Sequence, residues 1–164
     1  MFRRLTTTPR VIQGPEIDLR LRERGGPDPG CGAEGSYTFD ICPKGRRGYL
    51  GYVSLRLGES PELYYLGHVG YRVEEENRGR GYAGKAVRQL VPFMRGLGFK
   101  TVVITTDTDN LPSRRTCQRL GCELERVAQV PQRYRPLCMM SMEKCRYILR
   151  VDAEEGEKGF ADSG

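Results

Sequence analysis

The stretch Arg78-Gly79-Arg80-Gly81-Tyr82-Ala83-Gly84-Lys85 puts three glycines and three cations into eight residues. Such a stretch can hold an anion. The first N–H groups of a helix have no partner inside it, and the helix dipole adds partial positive charge at the same end. Glycines remove the side chains that would keep a phosphate away. Arg78, Arg80 and Lys85 add charge. The chemistry this allows is capture of a phosphate or pyrophosphate. Just upstream, Glu74, Glu75 and Glu76 could bind a cationic group or take its proton through water. Beside a phosphate site they must face away from it, and for at least two of the three a solvated acidic loop is the plainer reading.

The elements around this stretch follow from periodicity. Val69, Tyr71 and Val73 alternate like a strand, and Ala83, Ala86, Val87, Leu90, Met94 and Leu97 recur at helical spacing. The order is therefore strand, polar connection, glycine turn, helix. The helix is expected to end near Leu97, with a kink or break at Pro92. Before it, strands are expected at 17–22, 37–42, 49–57 and 63–73, the last being the longest. Residues 1–15 are a lead-in, 25–36 a long Gly/Pro-rich loop, and 43–47 a hairpin turn. Within 49–57 the expected buried residues are Leu50, Tyr52, Val53 and Leu55. After the helix, Thr101 to Thr106 is a strand, parallel to its predecessor through a right-handed crossover. Asn110 and Pro112 start a short helix that stops at Gly121. Strands at 123–130 and 138–151 close the domain, joined by a loop at 131–136. His68 shares a face with Gly70 and Arg72.

Two families of fold use such a glycine turn. Gly79-Arg-Gly-Tyr-Ala-Gly84 fits G-x-G-x-x-G, and the next strand ends at Asp107, which suits a dinucleotide fold and an NAD-dependent oxidoreductase. Five polar residues, 74–78, separate the strand from the first glycine, however, and few strand–helix units follow. The second reading takes in the whole order. Arg78-x-x-Gly81-x-Ala83 resembles the acetyl-CoA signature Q/R-x-x-G-x-G/A of the GNAT superfamily of N-acetyltransferases. Asn110 to Cys122, with Gly121 eleven residues after Asn110, resembles that family's second cofactor segment.

The resemblance implies an α+β (α/β) fold. Its central sheet is mixed, largely antiparallel and splayed between the fourth and fifth strands, with helices packed on it. The N-terminal helices of the family are reduced or absent here, where the 25–36 loop takes their place. Pantetheine would pair with the backbone of Tyr71, Arg72 and Val73. The amides of Arg78, Gly79, Arg80, Gly81, Tyr82, Ala83 and Gly84 would hold the pyrophosphate. Asn110 and Ser113 would touch the pantetheine arm, and an N–H near Val73 would polarise the thioester carbonyl. The implied activity is transfer of an acetyl group from acetyl-CoA, as cosubstrate, to a primary amine by direct attack in a ternary complex.

The family often places a tyrosine, seven residues after the Asn, to protonate the departing thiolate. Here that position is Cys117, and Cys122 stands where an aromatic follows the glycine. Cys117 can donate weakly, given an ordinary thiol pKa of about 8.5. Alternatively a tyrosine such as Tyr134 or Tyr147 reaches in, the thiolate leaves unaided, or Cys117 is a small core residue. Cys117 as acid and Glu75 as base are the catalytic candidates. A non-catalytic acyl-CoA-binding domain is the alternative that the missing tyrosine suggests.

Composition bounds the rest. A chain of 164 residues suits one domain, taken as 1–151, followed by an acidic, disordered tail at 152–164. The tail holds five acids against one base. That leaves about +10 on the rest of a chain whose net charge is +6, which suits a polyanionic ligand. No Trp and no aromatic–basic alternation argue against nucleic acid. No apolar run reaches the roughly 18 residues of a membrane span, and the N-terminus lacks a signal peptide's apolar stretch. Six cysteines without a C-x-x-C pair, and one histidine, suit neither a metal site nor a disulfide framework. The expectation is a cytoplasmic protein with reduced thiols and no metal. Its partner is a small-molecule or peptide amine, and a homodimer is compatible with the resemblance.

Overall fold

The computed structural model describes residues 7–152. Apart from Asp152, the acidic tail lies outside the described residues. The order is β1 (Val11–Gln13), β2 (Ile17–Gly25), β3 (Gly35–Pro43), β4 (Gly51–Leu57), α1 (Pro61–Leu66), β5 (Val69–Val73), α2 (Tyr82–Gly96), β6 (Thr101–Thr106), α3 (Leu111–Arg119), β7 (Glu123–Gln129) and β8 (Glu143–Arg150). The eight strands form one sheet in the order β1-β2-β3-β4-β5-β6-β8-β7. Every neighbouring pair is antiparallel except β5–β6, which is parallel and has a single registered pair, Val69↔Ile104.

That one pair shapes the molecule. The strands are fastened at Gly67 to Val69, where His68 N–H donates to Val103 O at 2.8 Å and Val103 N–H donates to His68 Nδ1 at 3.0 Å. The Nε2 edge of the ring meets Gly58 O at 3.2 Å and Glu59 Oε1 at 2.9 Å. His68 is thus a buried tie between the two strands. Beyond Val69 the strands part, which is the splay expected between the fourth and fifth predicted strands.

One face of the sheet carries α2. Ala86, Val87, Leu90, Val91 and Met94 are buried along it and pack with Phe39, Val53, Leu55 and Ile104 into the main core. The helix runs unbroken through Pro92. Pro92 and Arg88, whose carbonyl loses its usual helical donor to the proline ring, are both exposed.

Several boundaries differ from the sequence expectations. The strand expected at 63–73 is a helix followed by a short strand. Ser60 Oγ accepts from Leu63 N–H at 2.9 Å, Pro61 opens the helix, and Gly67 at φ 76° ends it. In the strand before it, Val53 and Leu55 are fully buried, whereas Tyr52 shares the opposite face with Ser54 and Arg56. Residues 11–13 form an edge strand inside the supposed lead-in. The strand expected from 138 starts at Glu143, because 132–138 form a 3₁₀ helix and Met139 and Met140 are left-handed at φ 51° and 65°. The 26–34 loop lies where no N-terminal helix forms, held under α1 by Ser60 Oγ donating to Cys31 O at 2.6 Å.

Candidate active site

The splay opens a cleft of about 370 Å³. Its walls come from Tyr52, Ser54 and Arg56 on β4, Gly70 and Tyr71 on β5, Thr105 and Thr106 on β6, and Asn110 and Ser113 at the start of α3. Hydrogen bonds from Arg56 N–H to His68 O and from Glu74 N–H to Leu50 O fix the alternation along β5. Even-numbered residues therefore bond to β4. The backbone groups of Tyr71 and Val73 point into the wedge, where β6 no longer pairs with them. Val73 O accepts from Arg78 Nε at 3.0 Å, which folds the arginine back along the strand end.

The glycine turn is open. Gly79 and Gly81 are left-handed at φ 81° and 75°, so glycine is needed in both places. A Cβ at Gly79 would meet nothing within 4 Å, and one at Gly81 only Lys85 Cε at 3.9 Å. No side chain caps α2, whose first internal bond is Lys85 N–H to Gly81 O at 3.0 Å. The N–H groups of Tyr82, Ala83 and Gly84 are thus left for an outside acceptor. The exposed Arg78 and Arg80 flank them. Lys85 is engaged elsewhere: Nζ pairs with Glu16 at 2.9 Å and donates to Arg80 O at 3.2 Å. Gly84 faces α3, where a Cβ would sit 3.6 Å from Thr116 Cγ2. These donors and this free space fit a pyrophosphate.

Of the remaining predicted residues, Tyr71, Asn110 and Ser113 come together. Tyr71 Oη and Ser113 Oγ are 2.6 Å apart, and Asn110 Oδ1 accepts from Ser113 N–H at 3.2 Å, capping α3. Burial pushes the Tyr71 phenol well above its usual pKa, so it stays protonated and serves as a donor. Arg72 is exposed. Cys117 does not line the cleft: it is fully buried in the core, one layer behind Tyr71. Its hydrogen bond with Cys122 and its burial both push the thiol pKa up. Glu75 lies on an exposed 3₁₀ turn at Glu75–Asn77, also outside the cleft walls.

The cleft includes groups that periodicity alone did not single out. Asp107 pairs with Lys144 Nζ at 2.7 Å and accepts from Ser141 Oγ at 2.6 Å. Partial burial works against its charge, but those two hydrogen bonds hold it below the usual carboxylate range. It is a spent anion rather than a base. Nor does it wait for a ribose, and the antiparallel strands around β5–β6 exclude the doubly wound dinucleotide fold. Arg56 follows Tyr52 and Ser54 at strand spacing, which is the signal that marks it as a cleft residue.

Residues 20–123 match the family described as the acetyltransferase (GNAT) domain. Solved structures agree on the fold. The microcin C7 self-immunity acetyltransferase MccE, solved with acetyl-CoA and AMP, aligns at 23% identity and TM-score 0.55 over 70% of this chain and 61% of its own. A GNAT-family acetyltransferase from Bacillus anthracis aligns at 15% and 0.56 over 71% and 67%. The ribosomal-protein-S5-alanine acetyltransferase from Vibrio fischeri aligns at 20% and 0.57 over 71% and 62%. The chain thus spans about three-fifths of the length of the first and third of these. No curated protein matches it. The chain belongs to the GNAT acetyltransferase family.

Proposed function

We propose that the protein transfers an acetyl group from acetyl-CoA to a primary amine by direct attack in a ternary complex. The observation that carries this is the wedge between β5 and β6, where the backbone of Tyr71 and Val73 has no β6 partner and leads to the uncapped start of α2. In this reading the amides of Gly79 to Gly84 take the pyrophosphate, while the Arg78 amide stays on Glu75 O, and Arg78 and Arg80 supply charge. The backbone of Tyr71 pairs with the amides of the pantetheine arm, and Val73 N–H polarises the thioester carbonyl. The bound cosubstrate supplies the activated acetyl group.

The Tyr71–Ser113 hydroxyl pair replaces the tyrosine missing at position 117. A phenol with a raised pKa is a poor source of a full proton, so its role is to hydrogen-bond the developing thiolate. Cys117 supports Tyr71 from the core. A primary ammonium must lose its proton before it attacks. Exposed Glu75 can take that proton only through water. The described residues contain no helix long and apolar enough to cross a membrane, and their six cysteines form no disulfide. A cytoplasmic location suits such thiols.

The test is thiol release from acetyl-CoA on addition of primary amines, with the acetylated product identified by mass. Amine-dependent release with a mass gain of one acetyl group is the expected result. The burial of the residue at position 117 favours one rival reading, a non-catalytic acyl-CoA-binding domain. Tight CoA binding without release on any amine would establish that rival.

A further inference from the structure

A second groove, of about 670 Å³, opens beside the cleft and shares Tyr65 with it. Helix α1 contributes Tyr64 and Tyr65, the edge strand β7 contributes Arg126, and the 3₁₀ helix contributes Arg133 and Tyr134. The rings form a continuous row. Tyr64 and Tyr65 meet edge to face at 4.9 Å, and Tyr65 and Tyr134 lie 5.7 Å apart at 33°. The arginines flank this row: Arg133 sits 4.7 Å from the Tyr134 ring centre, and Arg126 Nη1 donates to Tyr64 Oη at 3.5 Å.

The charges around the groove do not cancel. No carboxylate is among its lining residues. Of the nearby acids, Glu125 pairs with Arg146 at 3.4 Å and Glu59 meets His68 at 2.9 Å. Glu143 lies at the groove's edge, where it accepts from the lining Gln129 Nε2 at 2.6 Å, and its single charge is fewer than the two of Arg126 and Arg133. Glu62 turns toward the 26–34 loop. Among the described residues, neither Arg126 nor Arg133 forms an ion pair with a carboxylate. One guanidinium over a tyrosine ring and another at a tyrosine hydroxyl, in a concave wall without acid, attract anions and repel cations.

We infer that the acceptor carries an anionic group on the same molecule as its amine, and that Arg126 and Arg133 receive that group. The inference rests on the acetyl-transfer reading above. With its anion in the groove, such an acceptor runs past Tyr65 and brings its amine to the cleft where Tyr71 and Ser113 lie. Guanidinium forks suit carboxylate and phosphate alike, and polyamines are disfavoured.

Two pairs of probes distinguish the sources of the anion. The C-terminally amidated peptides Ser-Glu-Glu and Ser-Gln-Gln test carboxylates, and phosphoethanolamine against ethanolamine tests phosphate. The expected result is at least a tenfold higher kcat/KM for the anionic member of one pair, shrinking as salt is raised. Arg126→Gln with Arg133→Gln is expected to remove about tenfold of that preference through KM, the scale of one charge-assisted hydrogen bond. An unchanged acetyl-CoA melting shift in that variant shows that it folds. Equal kcat/KM within both pairs, or a preference that survives the double substitution, overturns the inference. Calorimetry on CoA-loaded protein separates it from the transfer reading. Binding of an anionic probe without turnover, lost in the double variant, upholds the groove and sinks transfer. No binding of either anionic probe, whatever the turnover, sinks the groove.

Discussion

Helices α2 and α3 begin in opposite ways. Asn110 Oδ1 takes the Ser113 N–H at the start of α3, and Pro112 in the first turn has no N–H to satisfy. That helix end is closed by its own chain. Helix α2 begins at a left-handed glycine with no capping side chain, and space lies in front of both Gly79 and Gly81. Its first N–H groups have only solvent or a ligand to serve. The difference assigns the two ends different work. The open end offers backbone donors to an anion. The closed end offers a side chain, Ser113 Oγ, held 2.6 Å from Tyr71 Oη.

The comparison breaks most sharply at Gly81. Gly81→Asp puts a carboxylate before the open amides and should weaken acetyl-CoA binding by about 100-fold, roughly 2.7 kcal/mol. Gly81→Asn carries the same backbone strain without the charge, and Asn tolerates the left-handed region. It should lose far less, and equal losses in a titration of both variants would reduce the effect to strain.

At the closed end, Ser113→Ala and Tyr71→Phe should each lower kcat by about tenfold, the scale of a single hydrogen bond made in the transition state. Acetyl-CoA affinity should stay the same. Because the hydroxyls act as a pair, the double variant should be little worse than either single one. Additive losses in steady-state kinetics would mean that they act separately.

The smallest effect is expected at the cap itself. Asn110→Ala should cost about 1 kcal/mol of stability, read by denaturant unfolding. Cofactor affinity should move by only a few-fold. A collapse of affinity instead would mean that Asn110 is a ligand contact and that its capping is incidental.

The open end was legible in the sequence because its signals are local. Glycines, cations and a helical apolar stripe lie within twenty residues, and the strand–helix–strand order around them is set by periodicity. What was not legible depends on long-range packing or on ambiguous short runs. Leu63-Tyr64-Tyr65-Leu66 suits a strand as well as a helix, and only Ser60 and Pro61 ahead of it mark a helix start. Edge strand β1 has three residues, too few to show alternation. Lys85 was counted with the phosphate site, but Glu16, remote in sequence, neutralises it. The burial of Cys117 follows from how α3 lies on the sheet, which spacing alone does not give. The groove beside the cleft joins residues 60–65 to 126–134 across the fold and leaves no local trace.

The most direct test of the central claim is the melting temperature of purified wild type and Gly81→Asp with acetyl-CoA, CoA, NAD and NADP. Ligand at about 100 times its dissociation constant stabilises the folded state by about 2.7 kcal/mol, a rise of several degrees for a chain of this size. The account predicts that rise for wild type with acetyl-CoA and CoA, none with NAD or NADP, and its loss in Gly81→Asp. A rise with NAD or NADP alone, or an acetyl-CoA rise undiminished in Gly81→Asp, would contradict it.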